Sequence, residues 1–151
     1  MHGTFALENF LPFRLNRLAA EVSERLSEIY SERFGLDIPK WRVLATLSAG
    51  DETTAQEIVA STRTHKSTIS RAVQELEIRG LVERAVSGGD KRALALRLTP
   101  EGRKLFRQLQ PLVLAHVEEL MGKISAADTK ALLKGIAALE DALDLGNNHT
   151  P

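Results

Sequence analysis

The sequence predicts a mainly α-helical fold carrying one small β-hairpin, and three observations lead there. Apolar residues recur at helical spacing along most of the 151 residues. Between Gly80 and Pro100 that period drops to two. Helix start and stop signals stand at the junctions between the apolar runs.

The first helix is the longest. Leu11, Leu15, Leu18, Val22, Leu26 and Ile29 keep one apolar stripe through about 25 residues from near Leu7. A stripe of that length suits packing on another chain as well as on its own core. Gly35 suits the stop, while Asp37 as cap and Pro39 in a first turn start a short helix with Trp41, Val43, Leu44 and Leu47. Thr54 and Glu57 have capping-box spacing for the next helix, whose buried side is Ile58 and Val59.

Then comes "THKSTISR", residues 64–71, opening a helix closed by Gly80, with Thr64 the expected cap. "LVERAV" and "ALALRL" flank "SGGDKR" and read as a hairpin with a flexible, charged tip; Leu94, Leu96 and Leu98 share a face. Thr99 and Pro100 start a long helix that Pro111 should kink, its ring displacing the bond to the Arg107 carbonyl. Ser125 with Asp128 starts the last helix.

Composition narrows the classes of function. Apolar residues at 43% and charged residues at 26% are ordinary for a soluble domain. With no cysteine, disulfides, thiolate metal sites and thiol redox sensing are excluded together. There is neither a secretory pattern at the N-terminus nor an apolar run long enough for a bilayer, so the expected location is cytoplasmic. Net charge is zero, yet residues 62–104 hold ten Lys/Arg against five Asp/Glu, leaving ten against fifteen elsewhere. A basic surface on an acidic scaffold would produce that split.

Two short helices followed by a hairpin make a winged helix-turn-helix, whose second helix enters the DNA major groove. At about 100° per residue, Ile69, Ala72, Val73 and Leu76 face the core. Ser67, Arg71 and Gln74 then point outward, flanked by Thr68 and Ser70, with Lys66 near the boundary. Arg71 can pair with guanine, Gln74 with adenine, and hydroxyls with bases or phosphates. A merely solvated face would tolerate acids, but the first is Glu75. His65 projects inward and suits packing or a phosphate. On the wing, Lys91 and Arg92 offer charge to the minor groove, while Asp90 suits bracing Arg92 or Arg84.

"KSTISRAVQELEIRGLVER…GGDKRALALRLTPEG" resembles the core of the multiple-antibiotic-resistance regulator (MarR) family of bacterial transcription factors. The resemblance extends over essentially the whole chain. Its most specific parts are Ser70-Arg71, Arg79-Gly80-Leu81-Val82, Asp90-Lys91-Arg92 and Leu98-Thr99-Pro100-Glu101-Gly102. It implies a single domain, 1–151, in which dimerisation helices (5–36 and 100–145) flank a winged helix-turn-helix lobe (37–99). It further implies a homodimeric repressor that leaves a pseudo-palindromic operator when a small molecule binds. Arg14, Tyr30, Trp41, Arg42 and His116 lie on elements lining the family's ligand pocket, and aromatic acids and phenols are its common inducers.

The partners expected are thus double-stranded DNA, a second copy and a small-molecule effector, with no membrane. No cofactor and no metal are expected: the four histidines are scattered, and only His116 with Glu119 has helical spacing. An enzyme is not expected either, for there is no phosphate loop, nucleophile elbow or evident carboxylate pair. The alternatives are a winged-helix protein-interaction module and a constitutive DNA binder without a ligand.

Overall fold

The computed structural model describes residues 4–50, 52–86 and 94–145. A 3-10 turn at Leu7–Asn9 leads into α1 (Leu11–Phe34), α2 (Ile38–Ser48), β1 (Thr53–Thr54), α3 (Ala55–Thr62) and α4 (Lys66–Ile78). β2 (Val82–Val86), β3 (Leu94–Leu98), α5 (Pro100–Met121) and α6 (Ala126–Ala142) follow. The chain divides into two compact units, Met1–Val113 and Leu114–Pro151.

In the first unit, α2, α3 and α4 surround a core of Val43, Leu44, Ile58, Ile69 and Leu76, all fully buried. Each helix begins and ends where local chemistry directs. Asp37 accepts from the Lys40 N–H at 3.0 Å, and Thr54 with Glu57 closes a reciprocal capping box. α1 joins this core only through its C-terminal half, where Leu26, Ile29 and Phe34 pack on it and Tyr30 is 1% exposed. Its N-terminal half is bare: Leu11, Leu15, Leu18 and Val22 are 37–58% exposed.

The hairpin is in register from Val82↔Leu98 to Val86↔Leu94. Leu96 and Leu98 enter the core as the period of two requires, but Ala85 and Ala95 are buried as well. The sheet also has a third strand that the pattern of the sequence does not show. Thr53–Thr54 pairs antiparallel with β3, giving the order β1-β3-β2. Two residues show no alternation, so only the partner strand reveals them.

α5 begins where Thr99 Oγ1 donates to the Gly80 carbonyl at 2.6 Å and accepts from the Gly102 N–H at 3.0 Å. The Thr99 N–H donates to the Leu81 carbonyl at 3.1 Å, so the end of β3 is tied to the end of α4. The helix is continuous past Pro111 to Met121.

The second unit holds the end of α5 and the whole of α6, which Ser125 caps by accepting from the Asp128 N–H. Its apolar side chains are largely uncovered, among them Val117, Leu132, Leu133, Ile136 and Leu139. Among the described residues, no helix is long and apolar enough to cross a membrane.

Candidate nucleic-acid interface

From Lys66 to Leu76, α4 is two-sided. Ile69, Ala72, Val73 and Leu76 are at most 3% exposed, while Lys66, Ser67, Ser70, Arg71 and Gln74 are exposed and Thr68 is half-buried. The 3.6-residue period accounts for both sets. Lys66 and Ser70 also border a shallow cavity of about 380 Å³ shared with Ala55, Gln56 and Val59 of α3.

The start of α4 differs from the sequence expectation. The cap is His65, whose Nδ1 accepts from the Ser67 N–H at 3.3 Å and lies 2.8 Å from Ser67 Oγ. Thr64 serves the preceding turn: its Oγ1 accepts from Arg42 Nη1 at 3.1 Å and lies 3.4 Å from the Thr62 carbonyl, to which it donates. A hydroxyl next to a helix start has many local partners, and a long-range arginine decides among them. Arg42 therefore pins the turn to α2.

Two further cations hold α4 from behind. Lys40 of α2 bridges Asp37, at 3.2 Å, and Glu75 of α4. The hydrogen bond from Glu75, with help from Asp37, raises the Lys40 ammonium above its ordinary range against the opposing cost of burial. Arg79 donates to the carbonyls of Phe34 and Gly35 at the end of α1. Glu75 and Glu77 thus belong to the frame, for Glu77 accepts from Arg84 of β2 at 3.0 Å. Arg97 crosses the sheet to Glu83 at 2.7 Å. Asp90, Lys91 and Arg92 lie outside the described residues; among the described residues Arg84 pairs with Glu77.

An orderly division results. The acidic residues of α4 are consumed in pairs with Lys40 and Arg84, whereas Lys66 and Arg71 on the outer face have no ion pair among the described residues. Within α4, therefore, the cations without an ion pair among the described residues lie on its N-terminal half.

The five residues expected around a ligand are spread more widely. Tyr30 and Trp41 stack with centroids 5.4 Å apart, and Trp41 stacks in turn on Phe106 of α5 at 5.8 Å. Burial pushes the Tyr30 hydroxyl up to about 12, against a smaller downward pull from the Arg42 charge. Arg14 lies in a groove along α1 with Leu11, Leu15 and Leu18. His116 belongs to the second unit, where its buried Nε2 has no hydrogen-bond partner among the described residues. No group of three or more metal-ligating side chains occurs among the described residues.

A cleft absent from the sequence expectations opens beside Phe106. It has a volume of about 540 Å³ and a floor of Leu47, Leu98 and Phe106, with Arg103, Arg107 and Gln110 on its rim. The helical spacing of 103, 106, 107 and 110 is legible in the sequence, but the end of α2 that completes the wall is not.

Comparison with known proteins fits this geometry. A MarR family model matches residues 34–93, from the end of α1 into the hairpin. A MarR family transcriptional regulator from Silicibacter pomeroyi is 30% identical, with a TM-score of 0.73 over 97% of this chain and 96% of that one. The chain belongs to the MarR family. As such it is a winged-helix, DNA-binding regulator of transcription. Two curated relatives agree with this. The uncharacterized HTH-type transcriptional regulator YwoH of Bacillus subtilis is 30% identical over 78% of this chain and 85% of its own length. The transcriptional repressor IacR of Pseudomonas putida is 29% identical over 70% of this chain, which spans 63% of that repressor. A MarR family protein of Mycobacterium tuberculosis, solved in complex with salicylic acid, shares the fold at a TM-score of 0.71 and 23% identity, over 86% of this chain and 96% of that one.

Proposed function

We propose that this MarR family chain acts as a homodimeric repressor that reads a pseudo-palindromic operator with α4 and is released by an aromatic acid. The observation that carries the DNA reading is the two-sidedness of α4, whose outer face as far as Gln74 offers only hydroxyls, an amide and cations. Arg71 and Gln74 are the base readers, and Lys66, Ser67, Thr68 and Ser70 are contacts to phosphate or base edges. Lys91 and Arg92 are assigned to the wing's groove contact. The exposed apolar stripe of α1 supports a second copy as partner, since a bare leucine row is costly in water. Paired α4 helices would then sit about 34 Å apart, one turn of DNA.

The cleft beside Phe106 suits an aromatic carboxylate: apolar floor below, two guanidinium groups at the rim. It shares Phe106 with the Tyr30–Trp41–Phe106 stack, and the residue after Trp41 is Arg42, which holds the turn before α4. A ligand that binds better when this chain of contacts is rearranged would shift the lobe away from its DNA-competent state.

Selection of duplexes from a randomised library, followed by binding at several salt concentrations, tests the DNA reading. Arg71→Ala should weaken the selected duplex and leave the oligomer intact by sedimentation. Unchanged, salt-insensitive binding would overturn it. Salicylate titrated against Trp41, the chain's one tryptophan, should change its fluorescence and release the duplex. Both responses should disappear in Arg103→Ala/Arg107→Ala.

A further inference from the structure

The turn between α3 and α4 contains a residue whose backbone and side chain are at odds. Arg63 closes α3 with φ 53° and ψ 32°, in the left-handed region that disfavours any residue with a Cβ. Glycine takes this conformation at two other helix ends, Gly35 after α1 at φ 62° and Gly80 after α4 at φ 72°, and after α6 it is taken by Asp144 at φ 57°, a residue type that tolerates it better than arginine. The Arg63 side chain is exposed and makes no hydrogen bond or ion pair among the described residues, so no polar contact among them offsets its strain. Strain of this kind at an exposed position points outward, to a partner.

Its place in the fold names the partner. Arg63 stands three residues before Lys66, the first residue of α4, and beside the end of the helix that presents Ser67, Ser70 and Arg71. It precedes the reading face and lies outside its helical repeat, so its guanidinium meets the duplex at the rim of the groove, where phosphate oxygens are the acceptors. A guanidinium there can hold a phosphate with two parallel hydrogen bonds. We infer that Arg63 grips a backbone phosphate at the edge of the groove that α4 enters, and that this grip keeps an arginine where the backbone favours glycine. The inference rests on the DNA-binding reading of α4. It adds a sequence-independent anchor to the base-reading residues.

The strain makes a clean test, because Arg63→Gly should separate folding from binding. Glycine relieves the left-handed penalty, so the melting temperature of the full chain should stay level or rise. Affinity should fall several-fold, by the same factor for a random-sequence duplex and for the duplex selected by the wild type. The slope of log K against log salt should become shallower by about 0.9 for each phosphate that the protein no longer neutralises. Arg63→Lys should recover most of the random-duplex affinity. Wild-type affinity and salt slope in Arg63→Gly would overturn the inference. A fall confined to the selected duplex would do so too, since it would mean base reading, and so would a lowered melting temperature, since it would mean a structural arginine. Arg71→Ala, measured alongside, separates the two levels. If Arg71→Ala no longer binds the selected duplex while Arg63→Gly binds normally, Arg63 is wrongly assigned and the reading of α4 stands. A wild-type chain that binds neither duplex would overturn that reading, and the phosphate grip with it.

Discussion

Arg79, directly after α4, donates from Nη2 to the Phe34 carbonyl at 2.7 Å and from Nη1 to the Gly35 carbonyl at 3.1 Å. Those carbonyls belong to the last turn of α1, whose acceptors would otherwise be left to water. One side chain thereby couples the end of the long helix to the end of the DNA-facing one. Arg79→Ala should cost about 1.5–3 kcal/mol in urea denaturation, the range for hydrogen bonds from a charged donor. Arg79→Lys should recover part of this, since a single ammonium lacks the planar fork. No change in the denaturation midpoint for Arg79→Ala would show that the bond adds nothing.

Gly102 faces the Leu81 backbone so closely that a Cβ would lie 2.0 Å from the Leu81 carbonyl oxygen. The same oxygen accepts from the Thr99 N–H, so it cannot retreat without breaking the junction between β3 and α5. Gly102→Ala should destabilise the chain by about 1–3 kcal/mol, as overpacking does. Gly50→Ala is the control, having nothing within 4 Å of the added carbon. Equal melting temperatures for the two variants would contradict the close approach.

Tyr30 is the chain's one tyrosine, so tyrosinate absorbance reads it alone. Its midpoint in the folded protein should lie at about 12. The folded state then holds the proton more tightly than the unfolded one, whose tyrosine titrates near 10. The resulting stability is present below about 10 and lost as pH rises toward 12. Tyr30→Phe should lack this alkaline decline. An absorbance midpoint near 10 in the native protein would refute the burial argument.

Glu57 accepts from the Thr53 hydroxyl at 2.6 Å and the Thr54 N–H at 2.8 Å, and these bonds, the Thr53 one foremost, hold its carboxyl below the usual range. Its contribution is present above the ordinary carboxylate pKa and lost as pH falls through the depressed folded value. Glu57→Gln, which still accepts both bonds, should show a flatter acid limb than the wild type. Thr54→Ala should lower stability by about 1 kcal/mol at neutral pH through loss of the α3 cap. Parallel acid limbs for wild type and Glu57→Gln would mean that the carboxylate is not stabilised in the fold.

By itself the sequence determined what is local. The helices, the Asp37, Thr54, Thr99 and Ser125 caps, the hairpin and the buried side of α4 all follow from spacing and neighbours within a few residues. Only the tertiary structure decided which of several equivalent partners each polar group takes. Thr64 turned to Arg42, twenty-two residues away, leaving His65 to cap α4. Glu75 and Glu77 were drawn into the frame by Lys40 and Arg84. Thr53–Thr54 became a strand because β3 had a free edge. The reason is the same in each case. A side-chain bond or a two-residue pairing carries no periodicity, so its partner is chosen only when the folded backbone brings distant groups within hydrogen-bond reach.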